Sequence, residues 1–297
     1  MAVRTWGVLG TGPLGRGIAE LAAAKGFEVI IWGAAAADLD QARRIIDLAL
    51  QQQIERWAIT ESEKRATLGR IRFTTDLAQL TGAQFVVDAS SSSVKEIQER
   101  FRQLDELCDS DVIFSVATST VSVTEIAAAT QRPEKVIGCH FLPPVTSTRV
   151  VEVVRGLKTT DETVGDVIGM LCNMDRVGVE VFESPGYVTT RLIIPLINEA
   201  CAVLMESVAS AEDIDTAMRL GFGMARGPLE TADRVGLDNI LLHAERLWRE
   251  YGDQKYRPSP LLKKMVRAGQ LGVETGEGFF KYDAEGNRIK PQLGGSL

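Results

Sequence analysis

The sequence has no CxxC pair, no dense basic run, no internal repeat and no low-complexity segment. Cys108, Cys139, Cys172 and Cys201 stand 31, 33 and 29 residues apart, which suits buried thiols in a reducing compartment and argues against disulfides or a metal centre. Lys and Arg number 33 against 40 Asp and Glu, a net charge of −7, so a polyanionic partner such as nucleic acid is not expected. The most apolar stretch, residues 29–37, is nine residues long and interrupted by Gly33, about half of what a bilayer span requires. No membrane partner is expected. Residues 3–9 already read as a strand running into glycines, which leaves no room for a signal peptide and predicts a cytoplasmic chain.

What is present is the composition of an ordinary globular protein, 45% hydrophobic and 25% charged over 297 residues, enough for one large or two modest domains. Short β-branched runs at residues 6–9, 28–32, 71–74, 85–89, 112–115, 136–139, 150–154 and 177–181 read as strands. Helical patterns fall between them at 14–25, 38–56, 94–107 and 124–129, the last opened by the capping-box pair Ser122 and Glu125. This alternation predicts an α/β, Rossmann-like, doubly wound and mainly parallel sheet over residues 1–184. After Ser184-Pro185-Gly186 the strand signals fade, and helical patterns at 187–207, 211–220 and 237–251 predict an all-helical domain over residues 185–297. In the first of these, Leu192, Leu196, Ala200, Val203 and Leu204 form an apolar stripe expected in its core, with part of that surface available to a second subunit.

Gly10-Thr11-Gly12-Pro13-Leu14-Gly15 matches GxGxxG, follows the first strand and opens the first helix. Gly10 allows the tight turn, Gly12 lets the backbone approach a pyrophosphate and Gly15 allows close helix–strand packing, while the helix start presents free N–H groups to the phosphates. A dinucleotide is the implied cofactor, with Gly10, Gly12, Pro13, Leu14 and Gly15 against it. The acidic residue that usually meets the adenosine ribose about 20 positions later is replaced by Gly33, followed by four alanines. Losing hydrogen bonds to a carboxylate costs about 1.5–3 kcal/mol, yet Gly33 also removes a repulsion against a ribose phosphate. Arg43 and Arg44 are the nearest basic pair, so NAD and NADP both remain open, NAD slightly favoured.

Two histidines are the available bases titrating near neutrality. His243 sits in a helical pattern beside Leu241 and Leu242 and reads as a packed or surface residue. His140 follows the strand 136–139 directly, at the carboxyl end where open α/β sheets bind ligands. Twelve positions on, Glu152 interrupts an apolar strand and needs a partner. That partner is either His140, which Glu152 would orient as an imidazolium, or a neighbouring arginine such as Arg149 or Arg155. Hydroxyls also cluster at strand ends, at residues 90–93 and 118–120, as turn and cap residues or as contacts to a substrate oxygen or a cofactor ribose, Ser90 among them.

Read together, these segments resemble the 3-hydroxyacyl-CoA dehydrogenase family, including bacterial 3-hydroxybutyryl-CoA dehydrogenases, along essentially the whole chain. The matching stretches include Gly10 to Ala19, Thr118-Ser119, Arg132 to Phe141, Val151-Glu152-Val153, Pro185-Gly186-Tyr187 through Arg191, Asn198-Glu199-Ala200 and Gly227-Pro228-Leu229-Glu230. The resemblance implies a Rossmann domain, a helical domain that commonly dimerises, and a cleft between them where hydride moves between nicotinamide and C3 of an acyl thioester. It implies His140 as general acid/base, Glu152 as its orienting partner and Ser119 against the substrate oxygen.

Departures from the family pattern concern the substrate side. Family asparagines are replaced by Ala117, Pro143 and Thr190. Proline offers no donor, and threonine keeps one hydroxyl as a substrate contact. An acidic residue after the fourth strand is replaced within the serine tract. A lysine expected near residues 55–58 for CoA is absent, with Arg56 as its substitute. The leading expectation is an NAD(P)-dependent dehydrogenase of 3-hydroxyacyl thioesters, a homodimer using acyl-CoA. A relative acting on a carrier-protein-bound or short polar hydroxyacyl group, and a nucleotide-binding relative without turnover, are the alternatives.

Overall fold

A computed structural model describes residues 3–117 and 121–289. The chain divides into two compact units, Met1–Tyr187 and Val188–Leu297. In the first, β1 (Thr5–Leu9), α1 (Pro13–Ala24), β2 (Glu28–Trp32), α2 (Ala36–Glu55), α3 (Glu61–Gly69), β3 (Ile71–Thr74), β4 (Phe85–Asp88), α4 (Val94–Leu107) and β5 (Ile113–Val116) follow in order. They are succeeded by α5 (Val123–Ala127), β6 (Val136–Phe141), β7 (Val150–Arg155), α6 (Asp161–Asn173) and β8 (Val177–Phe182). All eight strands join one sheet in the order β3-β2-β1-β4-β5-β6-β7-β8.

The sheet is parallel except between β6 and β7, which pair antiparallel. Its inner strands β1, β4 and β5 are apolar on both sides because helices cover both faces. On one face Trp6, Phe85, Ile31 and Val87 meet α1 and α2; on the other Leu9, Val86 and Phe114 meet Phe101 and Leu104 of α4. Chain order reverses between β1 and β4, so a crevice opens beyond their carboxyl ends, the usual ligand position in such sheets. The sheet is mainly parallel as expected, and the antiparallel return at β6–β7 has a consequence for chemistry. It sets the end of β6 directly opposite the first half of β7, with His140 across from Glu152.

Sequence patterning located all eight strands but stopped β6 at Cys139, whereas the strand runs on through His140 to Phe141. Cys108, Cys139 and Cys201 are buried free thiols, while Cys172 is exposed on α6, against the expectation of a buried thiol.

The second unit consists of α7 (Thr189–Met205), α8 (Ala211–Phe222), α9 (Pro228–Val235), α10 (Leu237–Tyr251) and α11 (Pro260–Arg267). Its core is built from Ile194, Ile197, Cys201, Leu229, Leu237, Ile240, Leu247 and Leu262. The predicted stripe on α7 is therefore rotated: Ala200 is buried, but Leu192 is 68% exposed. Two buried aspartates organise this unit. Asp215 accepts the Leu229 and Glu230 N–H groups at 2.9 and 2.8 Å and so caps α9, which has no cap of its own. Asp233 accepts the Phe279 and Phe280 N–H groups at 2.9 Å each and the Tyr282 hydroxyl at 3.0 Å, tying the chain after α11 to α9.

Candidate active site

The glycine loop closes β1 onto α1. Gly10 has φ +116°, and a Cβ there would meet the Ser90 nitrogen at 2.9 Å. A Cβ on Gly15 would lie 2.2 Å from the Gly10 carbonyl oxygen, so the helix can approach the strand this closely only with glycine. Around Gly12 the space is open. Gly12 is the N-cap of α1, with Pro13 in the first turn and no side chain capping the N–H groups. Leu14 packs its side chain onto the core below, and the Arg16 guanidinium donates to the Thr11 carbonyl at 2.8 Å, holding the turn. An uncapped helix start under an open glycine is a fit for a dinucleotide pyrophosphate.

The β4 end supplies the opposite wall. Fully buried Asp88 accepts from Arg100 at 2.6 and 3.0 Å and from the Ser90 backbone and hydroxyl at 3.0 and 2.6 Å. Arg100 also donates to the Ser90 hydroxyl at 2.8 Å and lies over the Trp32 ring. Ser90 is thus already engaged beside Gly10, and Ser93 is spent as the N-cap of α4, reciprocally bonded with Glu96. The Asp88–Arg100 pair escaped sequence reading, although an aspartate closing an apolar strand was a usable signal. Gly33 is buried against the same loop, where a Cβ would meet Thr11 Cγ2 at 2.8 Å and Leu39 Cδ2 at 3.0 Å. The missing ribose carboxylate is therefore a position filled by packing.

At the β6–β7 pair, His140 Nδ1 stands 2.6 Å from Glu152 Oε2, with the Glu152 side chain 1% and the His140 side chain 11% exposed. Of the alternatives, His140 is thus a partner of Glu152, while Arg155 is engaged with Glu180 and Asp161. In a neutral ring Nδ1–H donates to Glu152, which leaves Nε2 as the unprotonated nitrogen. The loop leaving His140 is anchored by buried Val145 against Gly17 of α1 and by Arg176, which donates to the Thr146 carbonyl at 2.7 Å. Pro143 lies exposed in that loop.

Tyr187 packs its ring 5.6 Å from that of His140. Its phenol is held well above the usual range by burial, then by the Glu183, Glu152 and Cys139 charges, so it stays protonated. The sequence placed Tyr187 in a family-matching stretch but assigned it no role in the site. Thr190 is buried in the first turn of α7, in the second unit, and Arg56 is the exposed residue that ends α2. Ser119 lies outside the described residues.

Residues 5–184 match the 3-hydroxyacyl-CoA dehydrogenase NAD binding domain, and residues 186–282 match the C-terminal domain of the same family. A probable 3-hydroxybutyryl-CoA dehydrogenase of Deinococcus radiodurans is 40% identical over 93% of this chain and 99% of its own. The 3-hydroxybutyryl-CoA dehydrogenase of Clostridioides difficile is 38% identical over 93% and 98%. The crystal structure of (S)-3-hydroxybutyryl-CoA dehydrogenase from Ralstonia eutropha superimposes with a TM-score of 0.86 at 36% identity, covering 95% of this chain and 100% of that one. The fold and its dinucleotide crevice define an oxidoreductase acting on CH–OH groups. The chain belongs to the 3-hydroxyacyl-CoA dehydrogenase family.

Proposed function

We propose that the chain interconverts a short 3-hydroxyacyl-CoA and its 3-ketoacyl-CoA, with 3-hydroxybutyryl-CoA and acetoacetyl-CoA as the pair to try first. The observation that carries this reading is the buried His140–Glu152 pair, 2.6 Å apart at the carboxyl end of β6. NAD supplies or accepts the hydride when bound, and Gly10, Gly12, Pro13, Leu14 and Gly15 would hold it. His140 takes the 3-hydroxyl proton on Nε2 during oxidation and returns it to the C3 oxygen during reduction. Glu152 keeps Nδ1 protonated and offsets the positive charge that the ring gains, a role worth a large share of the roughly 10²–10⁴-fold that acid–base catalysis supplies.

Ser119 contacts the substrate oxygen, Thr190 contributes its hydroxyl in place of an amide, and Arg56 meets the CoA portion. NADH is preferred over NADPH: Gly33 is hemmed by Thr11 and Leu39, and Arg43 of α2 stands over the Phe73 ring at 4.8 Å instead of awaiting a ribose phosphate. The chain works as a cytoplasmic homodimer, a second copy covering apolar side chains such as Leu192, Leu220 and Phe222, which are 68%, 78% and 78% exposed. The test is loss of reduced-nicotinamide absorbance with acetoacetyl-CoA, run with NADH and NADPH, beside the same acyl group on a carrier protein. Faster turnover with NADH and CoA is expected. Turnover confined to the carrier-bound substrate would replace CoA in this reading, and NADH binding with no turnover on either would remove it.

A further inference from the structure

The imidazole is tethered to β6 through its Cβ and moves only by rotation about χ1 and χ2, and the His140–Glu152 bond restrains that rocking at one ring nitrogen. Any rocking that remains sweeps Nε2 along an arc, although proton transfer tolerates only a narrow range of distance and angle. The ring of Tyr187 closes off that arc, packed 5.6 Å from the imidazole centre at an interplanar angle of 57°. Tyr187 reaches this place through an unusual turn. Gly186 and Tyr187 are both left-handed, with φ +78° and +46°, and the Tyr187 N–H returns to the Ser184 carbonyl at 3.0 Å. An aromatic residue at positive φ is strained, and such strain persists only where the surroundings fix it. Here they do: the ring is 5% exposed, in the buried cluster with Val116, Val123, Val154 and Val181.

The hydroxyl of Tyr187 is buried and has no hydrogen-bond partner among the described residues. It therefore does not anchor the side chain, and the tilted ring contact with His140 is what the site uses. We propose that Tyr187 is a positioning residue: its ring, held by the strained Ser184–Tyr187 turn, locks the His140 imidazole so that Nε2 points at the reacting oxygen. This rests on the assignment of His140 as acid and base.

The chain's two histidines make the ring directly observable, because His243→Gln leaves a single imidazole for nitrogen-15 NMR. In that background, Tyr187 intact should give one narrow His140 ring set with a nuclear Overhauser contact to the Tyr187 ring. Tyr187→Leu should broaden or split it, and should lower kcat roughly 10- to 100-fold with little change in KM for acetoacetyl-CoA. Tyr187→Phe should restore both the narrow resonances and most of kcat. A narrow ring and wild-type kcat in Tyr187→Leu would overturn the proposal, and so would a loss in Tyr187→Phe equal to that in Tyr187→Leu, which would move the role to the hydroxyl. If Tyr187→Leu does not fold, a broadened His140 ring in the tyrosine-bearing protein overturns it on its own. His140→Ala run alongside separates the two readings: turnover surviving it defeats the catalytic assignment, while the ring resonances still report whether Tyr187 holds the imidazole.

Discussion

Arg100→Ala probes the crevice wall where a buried charge is held by a single cation. Asp88 is fully buried, and Arg100 supplies two of its four hydrogen bonds while sitting over Trp32. Removing one partner of a buried ion pair costs about 3–5 kcal/mol, because the remaining charge is left uncompensated. Arg100 is itself 13% exposed, so the lower end applies, and the lost contact with Trp32 adds about 0.5 kcal/mol. For a domain of this size, about 3.5 kcal/mol is a fall of roughly 7–14 °C in the melting temperature of the first unit. Asp88→Ala with Arg100→Ala should cost less than Arg100→Ala alone, since no unpaired carboxylate remains. Urea denaturation followed by circular dichroism, with NADH titrations on the same samples, measures both. The Ser90 turn braces Gly10, so NADH affinity should fall in the single variant and recover in part in the double. An Arg100→Ala protein within about 1 kcal/mol of wild type, or a double variant that sums the two losses, would refute the reasoning.

Gly15→Ala places a methyl 2.2 Å from the Gly10 carbonyl oxygen and should weaken NADH binding by more than about tenfold, read by fluorescence titration. Gly33→Asp must displace Thr11 and Leu39 and should cost about 1–3 kcal/mol in denaturation, the range of an overpacked core. Asp233 is pushed up to about 6 by burial, against the pull of the Phe279, Phe280 and Tyr282 hydrogen bonds. Between about pH 4 and 6 the folded chain keeps a proton there that the unfolded chain has released, so this contribution is greatest below that window and is lost as pH rises through it. The melting-temperature difference between wild type and Asp233→Asn should therefore narrow or reverse from pH 4 to pH 6.5, and a constant difference would contradict the shift.

The strands and the glycine loop were legible because their signals are local: β-branched runs of four to six residues, and glycines whose spacing states a turn. Some helices had local signals that patterning overlooked. Thr60 with Glu63 caps α3, and Thr160 with Asp161 and Glu162 opens α6. In α9 the local signals, Pro228 after Gly227 and Gly236 at the end, were also overlooked, and the capping acceptor comes from Asp215, in the preceding helix. The stripe on α7 was misplaced because Leu192 and Ile194 are equally apolar, and only packing decides which is covered. In the site, His140 and Glu152 were each visible as an anomaly, but their pairing depends on an antiparallel return that strand–helix alternation does not announce. Tyr187 stood in a family-matching stretch, but its place beside His140 depends on a left-handed turn and a ring contact, neither written in residue type.

The measurement that bears most directly on the His140 chemistry is single-turnover oxidation of bound NADH by acetoacetyl-CoA in the wild type and in His140→Gln. Loss of the rate by at least about 10²-fold, with the NADH dissociation constant unchanged, is predicted. A His140→Gln rate within about threefold of wild type would contradict it and would require another proton donor at the C3 oxygen.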